Sequence, residues 1–218
     1  MSFALDEMDK RLLGYLRMHP GTFFEAGAHD GLTQSNTALL EFSFGWSGLL
    51  VEPIPELAAR CRSNRPGARV EEAALVPPEL AGDSIEMTYC NRSSIVSGGR
   101  GSAEADAAWL DACRRIPDQS GVEPYRVTVP ARTLSSILDE TGLAGIDFMS
   151  LDLEGYEAAA LRGLDLDRHA PRLMLVEMSN DRQAVEDVLA PWYEAVAELS
   201  DHRAEDPPWY DVLYRSRV

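Results

Sequence analysis

Residues 22–52 read TFFEAGAHDGLTQSNTALLEFSFGWSGLLVE. The apolar pair Phe23 and Phe24 predicts a short strand that runs into Glu25 and then a turn containing Gly27 and Gly31. An amphipathic helix is expected over 35–44, followed by a second strand over 48–51 that closes on Glu52. Strand, glycine turn, helix, strand and distal acid together form a nucleoside-binding βαβ unit. Its glycines let the backbone approach a ligand at the strand end, and the distal acid can accept both ribose hydroxyls.

The turn discriminates between ligands. A diphosphate is served by G-x-G-x-x-G and a helix N-terminus bare of acid. Here the turn is E-A-G-A-H-D-G, with Glu25 and Asp30 beside the glycines. Two carboxylates repel a diphosphate but suit a ligand that carries an ammonium and a sulfonium, as S-adenosylmethionine does. Ser35, Asn36 and Thr37 offer hydroxyl and amide groups near the helix start, where the ligand's carboxylate could be met. Ser35 and Asn36 are also ordinary helix caps, and the two roles can coexist.

At 218 residues the chain is long enough for one well-cored domain, 1–218, with one elaborated loop region. Asp and Glu number 36 against 20 Lys and Arg, a net charge of -16, which argues against nucleic acid and anionic membrane faces as partners. Cys61, Cys90 and Cys113 are widely spaced with no CxxC pattern, so neither a disulfide framework nor a cysteine zinc site is expected. The N-terminal residues carry acids among periodic apolar positions, unlike a targeting segment, and no stretch is apolar enough to span a bilayer. A cytoplasmic protein is expected.

Leu5, Met8, Leu12, Leu13 and Leu16 share one helical face, which predicts a helix over 6–18. Beyond the first βαβ unit come a helix over 53–64, a strand over 69–76 and a strand over 85–90. Residues 91–119 change texture: a small, polar, glycine-rich run precedes an alanine-rich helix over 103–115. So long an insertion beside a cofactor fold is expected to act as a mobile lid on an acceptor site. A strand over 125–129, a helix over 132–140 and a strand over 146–152 follow. Next are a helix over 154–164, a strand over 172–176 ending in Glu177, a helix over 185–199 interrupted or started by Pro191, and a closing strand over 212–214. This alternation predicts a doubly wound α/β sheet with helices on both faces, whose ligands bind beyond the carboxyl ends of the strands. Glu25 or Asp30, Glu52, Asp152 and Glu177 all fall at such ends and would converge on one crevice.

FEAGAHDGLTQSNT, GWSGLLVEPIPEL and IDFMSLDLEGYEAAALRGLD, in that order, resemble the FkbM-type methyltransferases, which depend on S-adenosylmethionine. The resemblance covers residues 22–177. It implies the Rossmann-like class I methyltransferase fold, a mostly parallel seven-stranded sheet with an antiparallel last strand, which 211–214 would supply. It also implies methyl transfer, largely O-methylation of sugar or polyketide hydroxyls, with some other acceptors in the family. By the same resemblance Glu25, Gly27, Ala28, Asp30 and Gly31 form the first cofactor loop, and Ser35, Asn36 and Thr37 its SNT segment. Glu52 becomes the ribose acid, Glu72 and Ala73 flank adenine, and Asp152 lies between the methionine end and the acceptor. His29 stands where the family more often has Asn or another polar or aromatic residue.

An alcohol is a poor nucleophile at neutral pH and needs a base or a metal. Asp152, Glu154 and His29 are the candidate bases. His169 is read as structural and His202 as solvated. Asp152 and Glu177, with Asn180 or Asp181, could offer oxygen ligands to Mg2+, although Glu177 equally serves to hold a loop. The expected partner is a small-molecule acceptor, and homo-oligomer formation is left open. Two alternatives stand beside this reading. A nucleotide-cofactor oxidoreductase or epimerase is disfavoured by the missing G-x-G-x-x-G, and a non-catalytic cofactor-binding module is disfavoured by the intact acids.

Overall fold

The computed structural model describes residues 1–17, 19–82, 84–116, 121–143 and 145–217. A 3-10 turn, Leu5–Glu7, leads into α1 (Met8–Leu12). This helix is shorter than the one expected over 6–18. Asp6 and Glu7 both adopt left-handed backbone (φ 50° and 57°), so no regular helix forms before Met8, and Met18 lies outside the described residues.

The chain then runs β1 (Thr22–Ala26), α2 (Ala38–Phe44), β2 (Ser47–Val51), α3 (Pro55–Asn64), β3 (Arg69–Glu71) and β4 (Ala74–Leu75). Next come β5 (Ile85–Tyr89), β6 (Ile95–Val96), α4 (Ala103–Cys113), β7 (Tyr125–Val129), β8 (Ala131–Arg132) and α5 (Leu134–Thr141). The last third holds β9 (Phe148–Leu151), α6 (Glu157–Leu161), α7 (Leu166–His169), β10 (Leu173–Glu177), α8 (Arg182–Leu189), β11 (Tyr193–Glu198) and β12 (Asp211–Ser216).

Seven strands form the central sheet in the order β11-β12-β10-β9-β1-β2-β3. The pairs from β10 to β3 are parallel, and β12 is antiparallel to both its neighbours. This is the Rossmann-like arrangement expected, with its last strand reversed. Two expectations need correction. The strand over 69–76 is two strands: β3 stays in the central sheet, while β4 leaves it to pair with β8. The helix over 185–199 holds only as far as Leu189. Pro191 follows the end of α8, and Tyr193–Glu198 pairs with β12 as an edge strand. A further small sheet, in the order β6-β5-β7, carries part of the 91–116 segment.

Strand periodicity divides the core between the two faces of the sheet. Phe23, Leu50, Phe148 and Leu213 pack with Leu12, Leu40 and Cys61 from α1, α2 and α3. Their neighbours Phe24, Leu49, Met149 and Val212 pack with Ile137, Leu161 and Val185 from α5, α6 and α8. The strand order reverses between β1 and β9, which opens a crevice at their carboxyl ends, the position where ligands of such sheets bind. No helix among the described residues is long and apolar enough to cross a membrane.

Candidate active site

The crevice begins where β1 and β9 part. Gly27 N–H donates to the Val51 carbonyl (3.1 Å) and Asp152 N–H to the Ala26 carbonyl (3.3 Å). Gly27 has φ +78°, and a Cβ there would overlap the Asp152 carbonyl oxygen, so only glycine lets the two strand ends lie this close. From this point a cavity of about 470 Å³ extends in two directions, towards Glu52 and Ala73 and towards Asp152, Glu154 and Glu177.

Glu25 organises the first wall. Its buried carboxylate accepts from Ser35 Oγ (2.8 Å), the Asn36 backbone N–H (2.8 Å) and Thr37 Oγ1 (2.5 Å). Arg65 Nη1 stands 3.7 Å away. Arg65 is itself fully buried and donates to the Gly31 carbonyl (2.9 Å), Ser35 Oγ (3.1 Å), Thr37 Oγ1 (3.1 Å) and Glu41 Oε2 (2.6 Å). The network fixes the 35–37 segment and turns the Asn36 amide towards Ser150 Oγ (3.1 Å) at the edge of the cavity. Glu25, Ala28, Ser35 and Asn36 line the cavity, whereas Thr37, Asp30 and Gly31 lie behind it. Asp30 closes the turn by accepting from the backbone N–H groups of Leu32 (2.9 Å) and Thr33 (2.7 Å). Against the upward push of burial, these donors hold its carboxyl below the usual value.

Glu52 lies at the end of β2, with its carboxylate oxygens accepting from the His29 N–H (2.9 Å) and the Ile54 N–H (2.9 Å). Burial pushes its pKa up to about 8 despite these donors. A carboxylate has about four acceptor positions, so Glu52 keeps capacity for hydroxyl donors from a ligand. Ala73 lines the cavity close by. Glu72, expected beside it, instead pairs with Arg62 (3.2 Å) and is not part of the lining. His29 lines the cavity with left-handed backbone (φ 50°), and its Nε2 meets Asn91 Oδ1 at 3.0 Å.

The other end of the cavity is acidic. Asp152, Glu154, Glu177 and Asp211 line it, and Glu157 lies beside them. Burial raises the Asp152 pKa to about 8, with the charges of Asp211, Glu157 and Glu25 adding to the effect. Burial likewise pushes Glu154 and Glu177 well above the usual carboxylate range. Asp211 rises to about 6 from burial, opposed by its hydrogen bond from Ser200 Oγ (2.6 Å) and by His202. Glu157 also rises from burial, although it accepts from the Leu153 (2.7 Å) and Gly155 (3.1 Å) N–H groups. Such a cluster holds protons at neutral pH or gathers a cation.

His202 departs from expectation. It lines the cavity, stacks on Trp209 at 3.9 Å and pairs with Asp6 (3.0 Å) and Glu205 (2.8 Å). His169 binds Asp139 (3.0 Å), remote from the cavity. Sequence reasoning missed Arg65, Asn91, Ser150 and Asp211. Of these, only Asp211 carried a readable signal, as an acid beside a predicted strand. The segment 91–116 contributes Asn91, Val96, Trp109 and Cys113 to the lining, and residues 117–119 of the expected lid lie outside the described residues.

Comparison with known proteins agrees with this architecture. A crystal structure of the methyltransferase FkbM from Methylobacillus flagellatus KT superposes with a TM-score of 0.53 at 16% identity, over 93% of this chain and 45% of that one. A protein of the NADB-Rossmann superfamily from Streptococcus agalactiae gives 0.53 at 11% identity, over 99% and 70%. TrmK from M. capricolum, solved in complex with S-adenosyl-homocysteine, gives 0.51 at 6% identity, over 98% and 69%. At these identities the likeness is one of fold. No curated protein matches the sequence. The methyltransferase FkbM domain model, however, matches residues 25–202, from the first strand-end acid to a histidine that lines the cavity. The chain therefore belongs to the FkbM family of S-adenosylmethionine-dependent methyltransferases.

Proposed function

We propose that this methyltransferase acts on a hydroxyl oxygen of a small molecule of the sugar or polyketide kind. The observation that supports the reading best is that Glu52, after β2, and Asp152, after β9, line one cavity on either side of the β1–β9 crevice. S-adenosylmethionine supplies an electrophilic methyl group on a sulfonium. In this reading Glu52 accepts the ribose hydroxyls, Ala73 flanks the adenine, and Asn36 addresses the amino-acid end. Glu25, Asp30, Gly31, Thr37 and Glu72 act at one remove by shaping the loops. Asp152 takes the proton from the acceptor hydroxyl, with Glu154 and His29 as the other candidate bases. A carboxyl whose pKa is raised to about 8 is a stronger base than an ordinary carboxylate and is better matched to neutral pH. The 91–116 segment forms the roof of the acceptor end. A cytoplasmic location accords with three unpaired, buried cysteines.

A second reading places Mg2+ at Asp152 and Glu177. Carboxylate oxygens of Asp152, Glu157 and Glu177 come within 4.8 Å of one another, and hard divalent cations take such oxygen ligands. Incubation with S-adenosylmethionine and a panel of hydroxylated acceptors, with and without Mg2+ and chelator, tests both readings. Release of S-adenosylhomocysteine with the new methyl located on oxygen supports the proposal. Methylation only at nitrogen or carbon rejects it. Turnover that is indifferent to chelation removes the metal.

A further inference from the structure

The 91–116 segment is tied to the acidic end of the cavity through one side chain. Arg100 donates from Nη1 to the Glu154 carbonyl (2.6 Å) and from Nη2 to the Ser179 carbonyl (2.6 Å). It thus bridges the loop after β9 to the loop after β10. Its guanidinium carbon lies 3.8 Å from the centroid of the Trp109 ring, which belongs to α4 of the same segment and lines the cavity. The backbone that presents Arg100 is fixed in turn. Asp106 accepts the N–H of Gly98 (2.5 Å) and of Arg100 (3.1 Å). On the opposite side Gly155 (φ +91°) leaves the room Arg100 needs, since a Cβ there would overlap Nη1. Asn180 Nδ2 holds the Gly155 carbonyl (3.2 Å).

We infer that Arg100 is the latch that seats the 91–116 segment over the acidic end of the cavity, a positioning residue rather than a group that touches reacting atoms. Both its partners are backbone carbonyls of the loops that carry Glu154 and follow Glu177. Charge-assisted bonds to carbonyls are stronger than neutral ones. When they break, the guanidinium and both carbonyls can be taken up by water, while Glu154, Glu157 and Glu177 lose part of the favourable charge that Arg100 places beside them. The contact can therefore be undone without unfolding its surroundings. The importance of closure for acceptor binding rests on the proposed function, but the latch itself does not.

Cys113 reports on the latch independently of any acceptor. It lies on α4, lines the cavity, is fully buried, and has its thiol pushed up to about 12 by burial. Cys61 serves as the internal control, packed in the core on α3 with its thiol donating to the His29 carbonyl (2.9 Å). The full chain and its Arg100→Ala and Arg100→Lys variants are treated with a maleimide, and each cysteine is followed by peptide mass spectrometry. Labelling of Cys113 should accelerate at least about tenfold in Arg100→Ala, while Cys61 stays at the wild-type rate. Arg100→Lys, which keeps the charge but only one donor nitrogen, should fall between the two. S-adenosylhomocysteine affinity should stay within about twofold, because Arg100 makes its hydrogen bonds to the Glu154 and Ser179 carbonyls and none to Glu52 or its neighbours His29 and Ile54. An unchanged Cys113 rate in Arg100→Ala overturns the latch. So does equal acceleration of Cys61 and Cys113 in both variants, since Arg100 would then support the whole fold. Selective opening in a protein that methylates no hydroxyl would leave the latch standing and remove only the proposed reaction.

Discussion

The Arg65 guanidinium faces the Glu25 carboxylate at 3.7 Å, with the arginine fully buried and the acid almost so. Arg65 also binds Glu41 at 2.6 Å, so one cation serves two acids, and its face lies 5.2 Å from the Phe23 ring. Removing it strands both carboxylates in the interior. Arg65→Ala should cost about 3–5 kcal/mol of stability, the range for breaking a buried pair from one side. Urea unfolding measures this, and a loss below about 1 kcal/mol would mean that the network contributes little.

This pair also marks the limit of what the sequence discloses. The strand, glycine turn, helix and acid of residues 22–52 were legible because each signal is local: two apolar residues, a turn needing glycine, a helical stripe. Arg65 carries no such signal. It sits in a polar stretch at the end of α3, and its partners lie 24 to 40 positions earlier in the chain. The 91–116 segment was legible as irregular, but the reach of Arg100 to Glu154 and Ser179 is a property of the folded chain. The misread helix over 185–199 has a different cause. Its apolar spacing suits either period, and pairing with β12 decides in favour of a strand after Pro191.

Glu52 offers the next test. Its carboxylate spans the His29 and Ile54 N–H groups, so alanine would disturb the loop as well as any ligand contact. Glu52→Gln keeps the side-chain length and one acceptor oxygen, so it disturbs the loop less than alanine although one of the two N–H groups loses its acceptor. Above pH 8, where the Glu52 carboxyl is ionised, this variant should weaken S-adenosylhomocysteine binding by about 1.5–3 kcal/mol, the range for hydrogen bonds to a charged group. Titration calorimetry reads the difference directly. Wild-type affinity in the folded variant would remove Glu52 from the cofactor site.

Asp152 lets stability and the proposed chemistry be tested in one variant. Its pKa rises from an ordinary 3.8 to about 8 in the folded protein, through burial and the charges of Asp211, Glu157 and Glu25. Between those values the folded state binds a proton that the unfolded state has released, so the contribution of Asp152 to stability falls as pH rises through that window. Asp152→Asn abolishes the titration. The ligand-free variant should be more stable than wild type at pH 8, on the order of 1–2 kcal/mol, and this gain should vanish towards pH 4. Turnover should move the opposite way and fall by at least about a hundredfold, the lower end for losing a general base. Denaturant unfolding at the two pH values, set beside initial rates at pH 8, tests the linkage. A variant that is less stable at pH 8 would show that the Asp152 charge is no strain on the fold, and one that turns over normally would show that it is no part of the chemistry.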